Sequence, residues 1–502
     1  MSTQAFGAFF DVESAPVKGP ELARTKASAV PTAVELEEYT TGGQYNGPVA
    51  PIHETESQYT FSARDTPGTG TQTPARLNNP SGTMPPGQHD VSYIVPTFND
   101  PPMNKWRVLA CCLVYFTNGM NDAAPGALIP YMEKHYHVGY AIVSLIFVSQ
   151  AIGFIGAAFF NDALKSKIGQ AKTLIFSELI KVLAFTLIAI TPPYPVVVVA
   201  FFLLGWAMAI NLALINVFLA NLAGSTTILG LSQGMYGVGG TIGPFIATTL
   251  VSHGSIWSRF YLITLAFSTV GAAVAGITFH GIESEPGQSL HAALERTASQ
   301  QRAANPPKRT LLVQALRDRV TPFGALFTFA YQGAEVAISG WVISFLIAER
   351  GGDPAKVGYA TAGFWGGITL GRFTLAPLSA KYDQKRFIHA LGLAAIAFQL
   401  LVWLVPNVIG DSVAVAMVGF VLGPIAPCSV AYFVRLLPRG LHTTAIGFIS
   451  SAGSSGGAAA PFLTGLVAQA KGTWVLHPIC IGLFVLMGTC WYCLPTVEKR
   501  SE

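Results

Sequence analysis

Charge is scarce in this sequence: Lys, Arg, Asp and Glu make up 11% of its 502 residues, against 51% hydrophobic. A soluble globular domain carries about 25% charged residues, so this chain has too few to cover a water-facing surface. The shortage excludes an ordinary soluble protein and leaves lipid as the partner of the apolar segments. The net charge of +4 is too small to imply nucleic acid. Six cysteines, at 111, 112, 428, 480, 490 and 493, fall inside apolar runs at spacings that fit no zinc or redox motif, so they read as small buried residues. No Asn-x-Ser/Thr sequon occurs. The first residues also lack the basic stretch and apolar run of a cleaved signal peptide. No Gly-x-x-x-x-Gly-Lys-Ser/Thr loop is present, which argues against a nucleotide partner and an ATP-driven pump. No cofactor, metal or catalytic constellation is expected, and the chain does not read as an enzyme.

What is there begins with a polar tail. Thirteen of the 32 prolines lie in residues 1–104, among Gly, Ser, Thr and mixed charges. Such a segment buries too little apolar surface to offset its ordering entropy, so disorder is expected. Twelve apolar segments follow, each long enough to cross a hydrocarbon core of about 30 Å. They run 106–130, 138–160, 171–191, 196–219, 229–252, 258–280, 321–348, 357–378, 387–405, 412–434, 442–468 and 474–494. Backbone groups in lipid must bond within their own segment, and runs such as Val196 to Leu204 do not alternate, so these are helices and not strands of a barrel.

Loop charge gives an orientation. With the N-terminus inside, the inner loops carry 14 basic residues and the outer loops 5, which places both termini in the cytoplasm. The plasma membrane is the default location. The chain also repeats: Gly239-Gly240-Thr241-Ile242-Gly243-Pro244-Phe245 recurs as Gly456-Gly457-Ala458-Ala459-Ala460-Pro461-Phe462. The expected fold is therefore an all-α integral membrane protein, with twelve transmembrane helices in two pseudo-symmetric six-helix bundles, 105–280 and 321–495. A central loop at 281–320 joins them, and tails 1–104 and 496–502 flank them.

Charges inside spanning helices are costly and mark cavities or pathways. Asp122, within Asn118-Gly119-Met120-Asn121-Asp122, suits both a polar solute and a proton; its bland alternative is a capping role. Glu335 holds the corresponding place in the first helix of the second half, with a structural interhelical bond as alternative. Asn118, Asn121, Gln150, Asn211, Asn216, Gln332, Trp341 and Trp365 are the candidate solute contacts. For Asn211 and Asn216, and likewise for Gln150, Gln233 and Trp365, interhelical bonding is at least an equal reading. Glu178 and Lys181, three apart on one helix face, read as a structural pair. Gly239, Gly240, Pro244, Gly456, Gly457 and Pro461 read as packing and hinge devices, and Arg372 as a gating residue.

At these residues the chain resembles the major facilitator superfamily, and within it the fucose-permease-like sugar–proton symporters, over 105–495. Asn118 to Asp122 is similar to that branch's amide-rich stretch ending in Asn-Asp, which implies Asp122 as the solute- and proton-linked acid. Gly333-Ala334-Glu335 with Gly340-Trp341 resembles a helix 7 pattern of eukaryotic relatives, and the polar tail implies a fungal or other eukaryotic member. The loop motif after helix 2 is loose (Gly156, Asp162, Lys165, Lys167, Gly169), as is its counterpart after helix 8 (Gly371-Arg372, Lys381, Asp383, Lys385, Arg386). The branch's acid on helix 4 is replaced by Leu212. The expected function is alternating-access transport of a small, monosaccharide-like solute with protons. Efflux of an amphipathic metabolite is the alternative, and a non-transporting receptor or scaffold the remote one.

Overall fold

The computed structural model describes residues 96–223, 225–282, 308–380, 382–438 and 441–496. Most of the expected tail, much of the central loop including Arg296 and Arg302, Lys381, and residues 497–502 lie outside the described residues. Among the described residues the chain is helical, with no strand. The long helices are α1 (Asn104–Tyr136), α2 (Leu145–Ile168), α3 (Gln170–Ala189), α4 (Tyr194–Ala220), α5 (Ser225–Ser252) and α6 (Phe260–Thr278). After the central loop come α7 (Val320–Ala348), α8 (Tyr359–Thr374), α9 (Gln384–Leu404), α10 (Val408–Leu422, resuming as Ile425–Leu436), α11 (His442–Lys471) and α12 (Leu476–Cys493).

Each coincides with one of the apolar segments, and the edges move for local reasons. α9 starts three residues before its apolar run because the Asp383 carboxylate accepts the Lys385 N–H at 3.1 Å and caps the helix. Asn407 caps α10 in the same way, accepting from Ile409 and Gly410 at 3.1 and 3.0 Å. Residues 412–434 read as one segment, but the helix breaks at Gly423-Pro424, where proline has no N–H to donate. The expected central loop holds a helix, Lys308–Arg317. Its Ala315 is fully buried, and the helix packs on α11.

Seven helices among the described residues are long and apolar enough to cross a bilayer: α2, α4, α6, α7, α9, α10 and α12. The others carry the Gly, Ser, Thr and amide residues of the seam between the halves, or, in α3, Glu178 and Lys181. Burial sorts interior helices from peripheral ones: 94% of the apolar window of α7 is buried against 33% in α9. Of the cysteines expected to be buried, Cys493 is exposed, because α12 ends there; all six are free thiols.

Glycine contacts show that the halves repeat one design. A Cβ on Gly239 of α5 would overlap the Phe116 carbonyl of α1, and one on Gly456 of α11 would overlap the Phe329 carbonyl of α7. Likewise Gly153 and Gly205 lock α2 against α4 at Phe202 and Gln150, and Gly367 and Gly419 lock α8 against α10 at Ala416 and Phe364. Every member of the second set lies 214 positions after its counterpart (153 to 367, 205 to 419). Only glycine lets two backbones approach this closely. Gly239→Ala is expected to lower stability by about 1–3 kcal/mol through overpacking. Thermal melting of the detergent-purified protein checks it, with Gly230→Ala as the control, since nothing lies within 4 Å of a Cβ there.

Candidate functional site

The Gly239–Phe116 and Gly456–Phe329 contacts also fix a register between α1 and α7. Asp122 lies six residues beyond Phe116 (116 to 122) and Glu335 six beyond Phe329 (329 to 335). The two acids therefore hold equivalent places in the two halves. Their surroundings differ. Asp122 accepts from Tyr236 Oη at 2.5 Å, from Gln150 Nε2 at 2.8 Å and from Asn121 Nδ2 at 3.4 Å. Three hydrogen-bond donors around one carboxylate hold it in place between α1, α2 and α5. The Tyr236 ring meets Trp365 of α8 edge-on, 6.2 Å between centroids, and the Trp365 indole N–H donates to Ser339 Oγ at 2.8 Å. Asp122 is thus linked through Tyr236 to the second half. Glu335 is fully buried, and the Tyr331 hydroxyl, one turn before it, interacts with both Glu335 and Arg372.

Four of the expected residues form a different unit. Lys181 Nζ lies 3.0 Å from Glu178 Oε2 and donates to Asn118 Oδ1 at 2.9 Å. Asn118 Nδ2 donates to Asn211 Oδ1 at 3.1 Å, and Asn211 Nδ2 returns to Glu178 Oε1 at 2.8 Å. The ring closes on itself, is wholly buried, and ties α1, α3 and α4 together. The reading of Glu178 and Lys181 as a pair fits this geometry. Asn118 and Asn211, expected as solute contacts, spend both ends of their amides on the ring. Asn216 accepts from the Tyr115 hydroxyl, to which Gln233 donates at 3.5 Å.

Trp341 sits elsewhere again. Its indole N–H donates to the Pro461 carbonyl at 2.8 Å, and its ring meets Tyr140 edge-on at 5.6 Å. With the Thr249–Tyr359 hydroxyl contact at 3.1 Å, it closes the seam between the halves at the end where α1 finishes. Gly240 packs on the face of Trp365 and Gly457 on the stem of Gln332, while Pro244 and Pro461 stand inside α5 and α11.

Toward the opposite end lies a cavity. Tyr331, Gln332, Arg372, Ser429 and Ser450 give it polar walls, Phe327 and Phe433 apolar ones, and Gln233 of α5 reaches in from the first half. Of the expected solute contacts, Asn121, Gln150 and Trp365 gather near Asp122, and Gln332 lines the cavity. Tyr236 and Tyr331 were not anticipated. The available signal was their spacing: Tyr236 stands three after Gln233 in a glycine-rich stretch, and Tyr331 stands four before Glu335. Among the described residues no group of three or more His, Cys, Asp or Glu could hold a metal ion.

Comparison with known proteins agrees with this architecture. The chain is 25% identical over 428 residues to Bypass of stop codon protein 6 of Saccharomyces cerevisiae, covering 80% of this chain and 84% of that one. It is 20% identical over 398 residues to a glucose/mannose transporter of Bacillus subtilis, covering 77% and 93%. Among solved structures it shares its fold with a D-xylose–proton symporter, at a TM-score of 0.61 and 11% identity over 78% of this chain and 98% of that one. The family model of the Major Facilitator Superfamily matches residues 111–461 and 324–501. With its repeated helix pairs and a central seam carrying one acid from each half, the chain belongs to the Major Facilitator Superfamily.

Proposed function

We propose that this chain is a proton-coupled secondary transporter of a monosaccharide-sized solute, working by alternating access. The observation that carries the reading is the equivalent register of Asp122 and Glu335, one acid per half, together with a cavity lined from both halves. Twelve crossings in two six-helix bundles, with both termini cytoplasmic, follow from the twelve apolar segments and the basic inner loops. On that orientation the seam is closed on the outer side and the cavity lies toward the cytoplasm. A ligand biases such an equilibrium only through unequal affinity for its two states. Asp122 and Glu335 supply that inequality for protons, and Gln332, Gln150 and Trp365 supply it for the solute. Glucose/mannose transport by one relative and D-xylose–proton symport by a structural neighbour support a sugar-like solute, as does the resemblance to fucose-permease-like symporters.

The test is uptake into vesicles reconstituted with the full chain, with and without an inward proton gradient, from panels of monosaccharides and amphipathic metabolites. Gradient-dependent accumulation of a monosaccharide-sized solute is the expected result. Movement of amphipathic compounds alone overturns the reading in favour of efflux.

A further inference from the structure

We propose that Arg372 is an anion anchor and that the transported solute is a monosaccharide-sized carboxylate, not a neutral sugar. The proposal rests on the transporter reading above and specifies its solute. Arg372 stands on the wall of the cavity near the end of α8 and, among the described residues, is the one formally charged residue on that wall. Its Nε is buried without a hydrogen-bond partner, and so is the Nε2 of Gln332, a residue only 1% exposed. Two of the hydroxyl donors nearby are already spent within their own helices: Ser429 on the Ala426 carbonyl at 2.9 Å and Thr328 on the Gly324 carbonyl at 2.9 Å.

The wall therefore carries two unmet donors, one of them cationic, and an unmet buried donor is costly. An acceptor with negative charge answers both. A carboxylate matches the planar guanidinium fork with two parallel bonds, which a sugar hydroxyl cannot do. The Tyr331 hydroxyl donates to the Leu422 carbonyl at 3.4 Å and interacts electrostatically with both Arg372 and Glu335. The remaining wall, apolar at Phe327 and Phe433 and polar at Gln233 and Ser450, suits a ring with a few hydroxyls.

The experiment is thermal stabilisation of the purified full chain by glucuronate and by glucose, in wild type, Arg372→Gln and Arg372→Lys. Wild type is expected to bind glucuronate more tightly than glucose. Arg372→Gln should weaken glucuronate by about tenfold to a hundredfold, the loss of one charge-assisted interaction. It should weaken glucose far less than glucuronate, and Arg372→Lys should restore part of the loss. If Arg372→Gln does not fold, the wild-type preference decides alone. Glucose binding as tightly as glucuronate, or unchanged glucuronate binding in folded Arg372→Gln, overturns the anion proposal and leaves the transporter reading standing. A response to neither overturns the anion proposal, and the uptake panels then decide the transporter reading.

Discussion

In vesicles with an inward proton gradient, Asp122→Asn is expected to bring solute accumulation down to the level of protein-free vesicles. Counterflow, which exchanges solute without net proton movement, should stay within a few-fold of wild type. The asymmetry follows from the geometry. Asparagine keeps the shape of aspartate and one acceptor for Gln150 and Tyr236, so the packing of α1 against α2 and α5 survives. What disappears is the capacity to take up and release a proton at the point where the halves meet. A coupled transporter without its proton site equilibrates solute but cannot concentrate it, because coupling is a shared free energy between two ligands. The same measurement on Glu335→Gln divides the labour between the acids. Undiminished accumulation in Asp122→Asn would remove Asp122 from the coupling scheme.

Lys181→Met is expected to cost about 3–5 kcal/mol, because it leaves the Glu178 charge buried and unpaired in the first half. Total stabilities of domains are commonly about 5–15 kcal/mol, so the loss takes a large share of that margin, and the melting temperature and the monodisperse fraction should both fall. The cause is local: Lys181 is fully buried and answers both Glu178 and Asn118. The double variant Glu178→Gln with Lys181→Gln removes both charges while keeping amides where donors and acceptors are needed. It should be less destabilised than Lys181→Met alone. Size-exclusion profiles and melting temperatures check both, and a Lys181→Met protein as stable as wild type would reduce the ring to a bystander.

Those two predictions differ in how much of them was visible in the sequence. Asp122 and Glu335 stood out at once, since a carboxylate in a lipid-crossing segment has no cheap bland explanation. Glu178 and Lys181 were legible as neighbours because three residues along a helix share a face. Their closure into a ring was not legible, because it depends on Asn118 and Asn211, which are 93 positions apart and meet only when α1 packs on α4. The same limit hid Tyr236, whose hydroxyl reaches Asp122 from α5, 114 positions away. It also misplaced Trp341, which serves the closed end of the seam and not the cavity.

By itself the sequence determined the solvent of this protein and the shape of its secondary structure. Scarce charge and long apolar runs leave lipid as the only partner, and lipid forces every backbone group into a helix. It also determined the doubling, through the repeated Gly-Gly and Pro-Phe positions of α5 and α11. Tertiary structure alone decided which amides lock the first half, which tyrosines hold the acids, and which cation faces the cavity. Those choices depend on side chains meeting across helices, and helical periodicity specifies the face a residue occupies but not the residue it meets there.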